Sequence, residues 1–237
     1  LLDHYLTLLR HALHKHGNRV AFTPLLSDEE LRRMTVEWND TAAAVPAVRG
    51  IHEVVQSRAH ERPGDVAVAF TEERITYGEL NARANRLARF LSRQGLARGG
   101  LVGILMERHP DIIVAILAVL KAGGAYIPLD AGYPTERLAQ ILQDAKAAFI
   151  VTHAAHRGTI PPTGARVIEL DDPAGPPRRE GGGDLEWVGS PEDTAFVLFT
   201  SGSTAQPKGV MVSHANLINY HAAWHRHCDL SGTVSAN

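Results

Sequence analysis

Between residues 101 and 152 short apolar runs alternate with longer runs of helical period, and this alternation leaves few folds open. Residues 101–106 (LVGILM) are continuously apolar, as a strand buried on both faces must be. Pro110 suits a first helical position, and Ile112, Ile113, Ile116, Leu117 and Leu120 follow at helical spacing until Gly123 and Gly124 stop the run. The same logic predicts a strand over 125–129, a helix over 134–145 and a strand over 148–152. A βαβαβ order requires crossover connections, so the predicted fold is α/β: a parallel-rich sheet flanked by helices.

The flanking segments extend this pattern. Residues 66–70 and 74–76 read as strands around a charged turn carrying Glu72, Glu73 and Arg74. Thr76 with Glu79 three places on predicts a capping box, and Leu80, Ala84, Leu87 and Leu91 give the helix one buried face before Gly95. Near the start, Leu2, Leu6, Leu9 and Leu13 fall on one helical face. Ser27 with Glu30 begins a second short helix carrying Leu31, Met34 and Trp38, and residues 41–48 (TAAAVPAV) read as a linker. Residues 154–190 are rich in Pro and Gly and predict a surface connection of variable length, with one strand at 166–170 and with Arg178 and Arg179 as solvated charge. No internal repeat is present.

Composition excludes several classes. The formal charge of −2 gives no electrostatic reason to expect nucleic acid or a membrane surface as partner. A single cysteine, Cys228, excludes an internal disulfide framework and a multi-cysteine zinc site, and fits a reducing cytoplasm. No window approaches the roughly 20 apolar residues of a membrane span, and the first segment is amphipathic rather than a signal peptide. The chain begins at Leu1 and ends in the polar run SGTVSAN, so both ends are expected to be cuts in a longer polypeptide.

Chemistry concentrates after the predicted strand 194–199. There Thr200, Ser201, Gly202, Ser203, Thr204, Ala205, Gln206, Pro207, Lys208 and Gly209 lie between two strands, the second at 210–212. Glycines let a backbone approach a phosphate closely, hydroxyls and N–H groups donate to it, and lysine adds a point charge. A Walker loop would have Gly before the Lys and Ser or Thr after it; Pro207 and Gly209 occupy those places, so that motif is absent. By residue type alone such a loop is also an ordinary turn, and only the lysine and the flanking strands favour phosphate binding. Two groups of histidines, His11, His14 and His16, and His221, His225 and His227, invite a metal. No Glu stands beside them in a zincin arrangement, and they read as solvated or core histidines, with no metal site expected. His214, after Ser213, reads as a helix-start residue in preference to a ligand.

The string TSGSTAQPKGVMVSH resembles the phosphate-binding signature of the adenylate-forming enzymes, which include acyl-CoA synthetases, luciferases and peptide-synthetase adenylation domains. LKAGGAYIPLD at 120–130, followed by Tyr133, Pro134, Thr135, Glu136, Arg137 and Leu138, resembles the version in nonribosomal peptide synthetases, and ITYGELN at 75–81 resembles their first core motif. LLSDEELRRMTVEWNDTAAAVP at 25–46 is similar to the connector that follows a condensation domain. The resemblance implies a condensation-domain tail over 1–24, a linker over 25–49 and the first part of an adenylation domain over 50–237. It implies activation of an amino acid by ATP with Mg2+, release of pyrophosphate, and loading onto the phosphopantetheine of a carrier domain. Thr200, Ser201, Gly202, Ser203, Thr204, Lys208 and Gly209 would then cradle the β- and γ-phosphates. Ala205 stands where the family has Gly, and strain there would be of order 1 kcal/mol if positive φ is needed. The family's remaining site residues lie beyond this loop, and about 28 residues follow it here, so the isolated chain is expected to be marginally stable, to associate and not to turn over. An acyl-CoA or aryl-acid ligase, and a non-catalytic binding or scaffold piece, are the alternatives.

Overall fold

A computed structural model describes residues 2–14, 23–173, 175–201 and 207–227. The chain divides into two compact units, residues 1–44 and 45–237.

The first unit holds helices α1 (Leu2–His14) and α2 (Asp28–Thr35). The predicted capping box closes α2: the Glu30 N–H donates to Ser27 Oγ, and the Ser27 N–H donates to the Glu30 carboxylate. That backbone donor, then His4, whose Nε2 lies 2.9 Å from Oε1, then the Ser27 hydroxyl, hold the Glu30 carboxyl down to about 2. The apolar face of α1 stays open to solvent, with Leu2 70% and Leu13 68% exposed.

The second unit starts with α3 (Ile51–Glu61), after which β1 (Val66–Phe70) and β2 (Glu73–Thr76) form a separate antiparallel pair. Its turn includes Thr71 at a φ of 50°. Then follow α4 (Tyr77–Arg93), β3 (Leu101–Leu105), α5 (Asp111–Lys121), β4 (Ala125–Leu129), α6 (Thr135–Ala145) and β5 (Phe149–Thr152). The unit continues with β6 (Arg166–Glu169), β7 (Thr194–Ser201), β8 (Pro207–Ser213) and α7 (His214–His227). Six strands form one sheet in the order β6-β5-β3-β4-β7-β8, parallel throughout except for β8, which returns antiparallel to β7. This is the expected parallel-rich sheet with flanking helices.

Alternation along the central strands builds a core on each face. Val102 and Ile104 of β3, with Phe149 and Val151 of β5, meet Leu80, Leu87 and Leu91 of α4 and Val114, Leu117 and Ala118 of α5. Leu105 and Ile150 point the other way, joining Leu138, Ile141 and Leu142 of α6. Gly103 lies on that second face, where a Cβ would come within 2.8 Å of Leu129, so a side chain there would overpack the layer. Each fully buried aliphatic side chain contributes about 1.5–3 kcal/mol, which makes these two layers the main source of stability.

Two local readings need correction. Thr76 caps α4 through Glu79 N–H, but the reciprocal half of the capping box does not form, because the Glu79 carboxylate accepts from Arg83 Nε at 3.1 Å instead. The Pro/Gly stretch is not a loose surface connection along its whole length. Its end is fastened to α4: Asn81 and Asn85 Nδ2 donate to Asp184 Oδ1 at 2.8 and 2.9 Å, and Arg89 donates to the carbonyls of Gly181, Gly183 and Asp184. Trp187 is buried at its end.

Candidate functional site

The parallel order places β7 beside β4, with Tyr126 opposite Phe196 and their rings stacked at a centroid distance of 5.4 Å. From there β7 runs outward and pairs with β8 in the register Phe199↔Gly209, Thr200↔Lys208 and Ser201↔Pro207. Of the predicted phosphate-binding set, Thr200 and Lys208 are therefore direct cross-strand partners on one face, both exposed, at the mouth of the hairpin. Gly209 lies on the opposite face, where a Cβ would stand 3.0 Å from Val197 Cγ1 and 3.3 Å from the Phe199 ring. Ser201 belongs to β7 through its backbone. Gly202, Ser203 and Thr204 lie outside the described residues, as does Ala205. A hydroxyl and an ammonium on exposed, directly paired residues of a two-stranded arm make a donor set for an anion such as a polyphosphate.

The base of the hairpin is held by ion pairing and a buried aromatic cluster. Arg98 grips Asp193, one residue before β7, with Nε to Oδ2 and Nη2 to Oδ1 both 2.9 Å, and Ser190 N–H donates to Oδ2 at 2.9 Å. The Arg98 bonds, with that of Ser190, hold the Asp193 carboxyl below its ordinary range. At the same base, directly after β8, the His214 N–H donates to the Asp193 carbonyl at 3.0 Å. His214 is buried, and its Nδ1 accepts from Ile51 N–H at 3.3 Å. Its ring meets Trp187 edge-on at 5.2 Å and His52 at 5.8 Å. Burial pushes both imidazoles down, His52 to about 3. His214 thus positions the helix after the arm by packing as a neutral ring.

The LKAGGAYIPLD segment is scaffold for this arm. Gly123 takes a φ of 76°, and a Cβ on Gly124 would stand 2.9 Å from the Gly100 carbonyl, so the two glycines permit the tight passage from α5 into β4. Lys121 is buried, donates to Gln56 Oε1 at 2.8 Å and lies 3.7 Å from Asp184 Oδ1. Burial pushes its pKa down against the opposing pull of Asp184. Asp184 thus joins α4, α5 and the end of the Pro/Gly stretch, a role that sequence reading missed. The polar stripe Asn81, Asn85, Arg89 at spacing four was the available signal.

His221 and His225 do share a face of α7, with ring centroids 4.6 Å apart. His11 Nδ1 lies 2.9 Å from the Thr7 carbonyl, while His16 and the side chains of His14 and His227 lie outside the described residues.

The parallel-rich sheet with its hydroxyl- and lysine-bearing arm is an α/β fold with an anion-donor set, and comparison with known proteins resolves its family. Residues 55–235 match the AMP-binding enzyme family, and the chain belongs to that family. It is 38% identical to bacitracin synthase 2 of Bacillus licheniformis over 98% of this chain and 9% of that protein. It is 42% identical to chondramide synthase cmdD of Chondromyces crocatus over 88% of this chain and 5% of that protein. Among solved structures, the nonribosomal peptide synthetase FmoA3 bound to alpha-methyl-L-serine-AMP superposes with a TM-score of 0.78 at 32% identity, covering 95% of this chain and 25% of that one. The N-terminal subdomain of Klebsiella oxytoca NpsA in complex with 3-hydroxybenzoyl-AMSN gives 0.61 at 26% identity over 70% of this chain and 41% of that one. The chain corresponds to the N-terminal part of a peptide-synthetase adenylation domain. It spans a small fraction of the relatives it matches.

Proposed function

We propose that this chain supplies the pyrophosphate-binding arm of an amino-acid-adenylating site, in which ATP and an amino acid give an aminoacyl-adenylate and pyrophosphate. The single observation that carries the reading is the cross-strand pair Thr200 and Lys208 at the exposed mouth of the β7–β8 arm, in a chain of the AMP-binding family. Lys208 and Thr200, with Ser201, Gly202, Ser203, Thr204 and Gly209, would hold the β- and γ-phosphates. As the amino-acid carboxylate attacks the α-phosphorus, negative charge builds on the departing pyrophosphate, and a fixed ammonium and hydroxyl offset it without reorganising. Mg2+ would enter on the triphosphate, since that ion keeps most of its waters and binds through phosphate oxygens. The carrier-domain phosphopantetheine thiol of a larger synthetase, in which 1–24 would be the tail of a condensation domain and 25–49 a linker, would receive the aminoacyl group, in the cytoplasm.

Support for an amino acid in preference to an aryl or fatty acid comes from identity. The relatives named as bacitracin and chondramide synthases stand at 38% and 42%, against 26% for the neighbour bound to a hydroxybenzoyl analogue. ATP–pyrophosphate exchange against panels of amino acids, aryl acids and fatty acids, beside ATP binding by calorimetry, tests the reading. Exchange that requires an amino acid supports it, and exchange with aryl or fatty acids alone would replace the substrate class. ATP binding without exchange would confine the chain's own contribution to the phosphate arm, and absence of both would remove the reading.

A further inference from the structure

The carboxyl ends of β3 and β5 bring together three side chains that the phosphate arm does not use. Leu105 and Thr152 are paired in register, so the loop leaving β3 and the residue leaving β5 are neighbours. The buried Thr152 hydroxyl locks this junction by donating to the Leu105 carbonyl at 2.6 Å. Beyond it stand His109, Asp111 and His153, whose ligating atoms all lie within 4.8 Å of one another. His153 Nε2 is 3.1 Å and His109 Nδ1 is 3.4 Å from the same oxygen, Asp111 Oδ2.

The two separations to Asp111 Oδ2 fit a transition-metal ion. Tetrahedral zinc, with bonds of about 2.0–2.1 Å to imidazole nitrogen and carboxylate oxygen, holds its ligand atoms about 3.3 Å apart. The two imidazole rings meet edge-to-face, at 84° with centroids 4.7 Å apart. His109 Nδ1 accepts from the Asp111 N–H at 3.2 Å, so that nitrogen carries a lone pair, and ligation through it would replace this hydrogen bond. His153 is largely buried and Asp111 mostly so, which limits the freedom lost on ligation. Arg83 approaches the other carboxylate oxygen, Oδ1, at 3.8 Å and leaves Oδ2 to the imidazoles. Asp111 also lines a cleft of about 250 Å³ with Glu79, Arg83 and Arg86, from which water can fill the remaining coordination positions.

We propose that His109, Asp111 and His153 form a binding site for a borderline divalent cation of the zinc class, fastening the loop after β3 to the end of β5. Two imidazole nitrogens and one oxygen select such an ion over Mg2+, which prefers oxygen ligands throughout. The site shares no residue with the phosphate arm and does not depend on the adenylation reading. His221 and His225 on α7 are the competing pair and offer only two ligands.

Titration of the metal-free chain with Co2+, followed by visible absorption, tests the proposal. One equivalent should develop ligand-field bands, Zn2+ should abolish them, and millimolar Mg2+ should leave them unchanged. His109→Gln, at a partly exposed position where the fold tolerates change, and Asp111→Asn should each weaken Co2+ binding about tenfold or more. Circular dichroism of each variant separates loss of ligation from loss of fold. The double variant His221→Gln and His225→Gln should bind as the parent does. Binding untouched by His109→Gln in a folded variant, binding lost in the α7 variant, or no saturable Co2+ binding would each overturn the assignment.

Discussion

His52 shows how one buried side chain ties stability to pH. It is 1% exposed, pressed edge-on against Trp187 at 4.8 Å, and its Nδ1 has no hydrogen-bond partner among the described residues. An unfolded chain takes up a proton on this residue near pH 6.5, whereas burial, then His214 and Lys121, hold it unprotonated in the folded chain down to about 3. Stability is therefore complete above 6.5 and falls as the pH drops from 6.5 towards 3. By pH 5 the loss from His52 alone is about 2 kcal/mol, and His214, shifted in the same direction, adds to it. Urea midpoints at pH 7 and pH 5 should show the fall, and His52→Gln should flatten it; a parent midpoint indifferent to pH over that range would contradict the assignment. Asp184 carries the second prediction at this scale. Asp184→Ala leaves the buried Lys121 ammonium with Gln56 as its remaining hydrogen-bond partner and should cost roughly 2 kcal/mol, less than a fully enclosed pair because Asp184 is a quarter exposed. Adding Lys121→Met should recover part of that loss in the same denaturation experiment, and strictly additive costs would show the two groups to be uncoupled.

The β7–β8 arm is the element on which the candidate function rests. Because a Cβ at Gly209 would crowd Val197 and Phe199, Gly209→Ala should cost about 1 kcal/mol and shift the register of Thr200 and Lys208, weakening nucleotide binding more than it lowers the thermal midpoint. The central βαβαβ segment was legible from periodicity because each strand there is buried on both faces and each helix on one. β7 and β8 were legible from their apolar residues, although β8 is largely exposed, and the short segment between them suits a hairpin because parallel neighbours need a crossover of about a dozen residues or more. The fastening of the Pro/Gly stretch to α4 was hidden for a different reason: it is made by backbone carbonyls and one carboxylate, which leave no hydrophobic period. His109, Asp111 and His153 escaped sequence reading because two neighbouring strands of the sheet, far apart in sequence, bring them together.

Beyond single elements, the second unit packs a layer on each face of its sheet and carries the β7–β8 arm at one edge. The arm carries polar donors at its mouth and exposes Leu198, Val210 and Met211 along its length. Membership in the AMP-binding family supports the proposed phosphate-binding role of that arm, and Arg98 on Asp193 and Ile51 on His214 hold its base. The central claim is that Lys208 clamps the outer phosphates of ATP. Calorimetric titration of the chain and of Lys208→Ala with ATP and with AMP tests it most directly. The account predicts that ATP binds the parent chain more tightly than AMP, and that Lys208→Ala weakens ATP roughly ten- to a hundredfold while leaving AMP nearly unchanged. Equal affinity for ATP in the parent and the variant would contradict it.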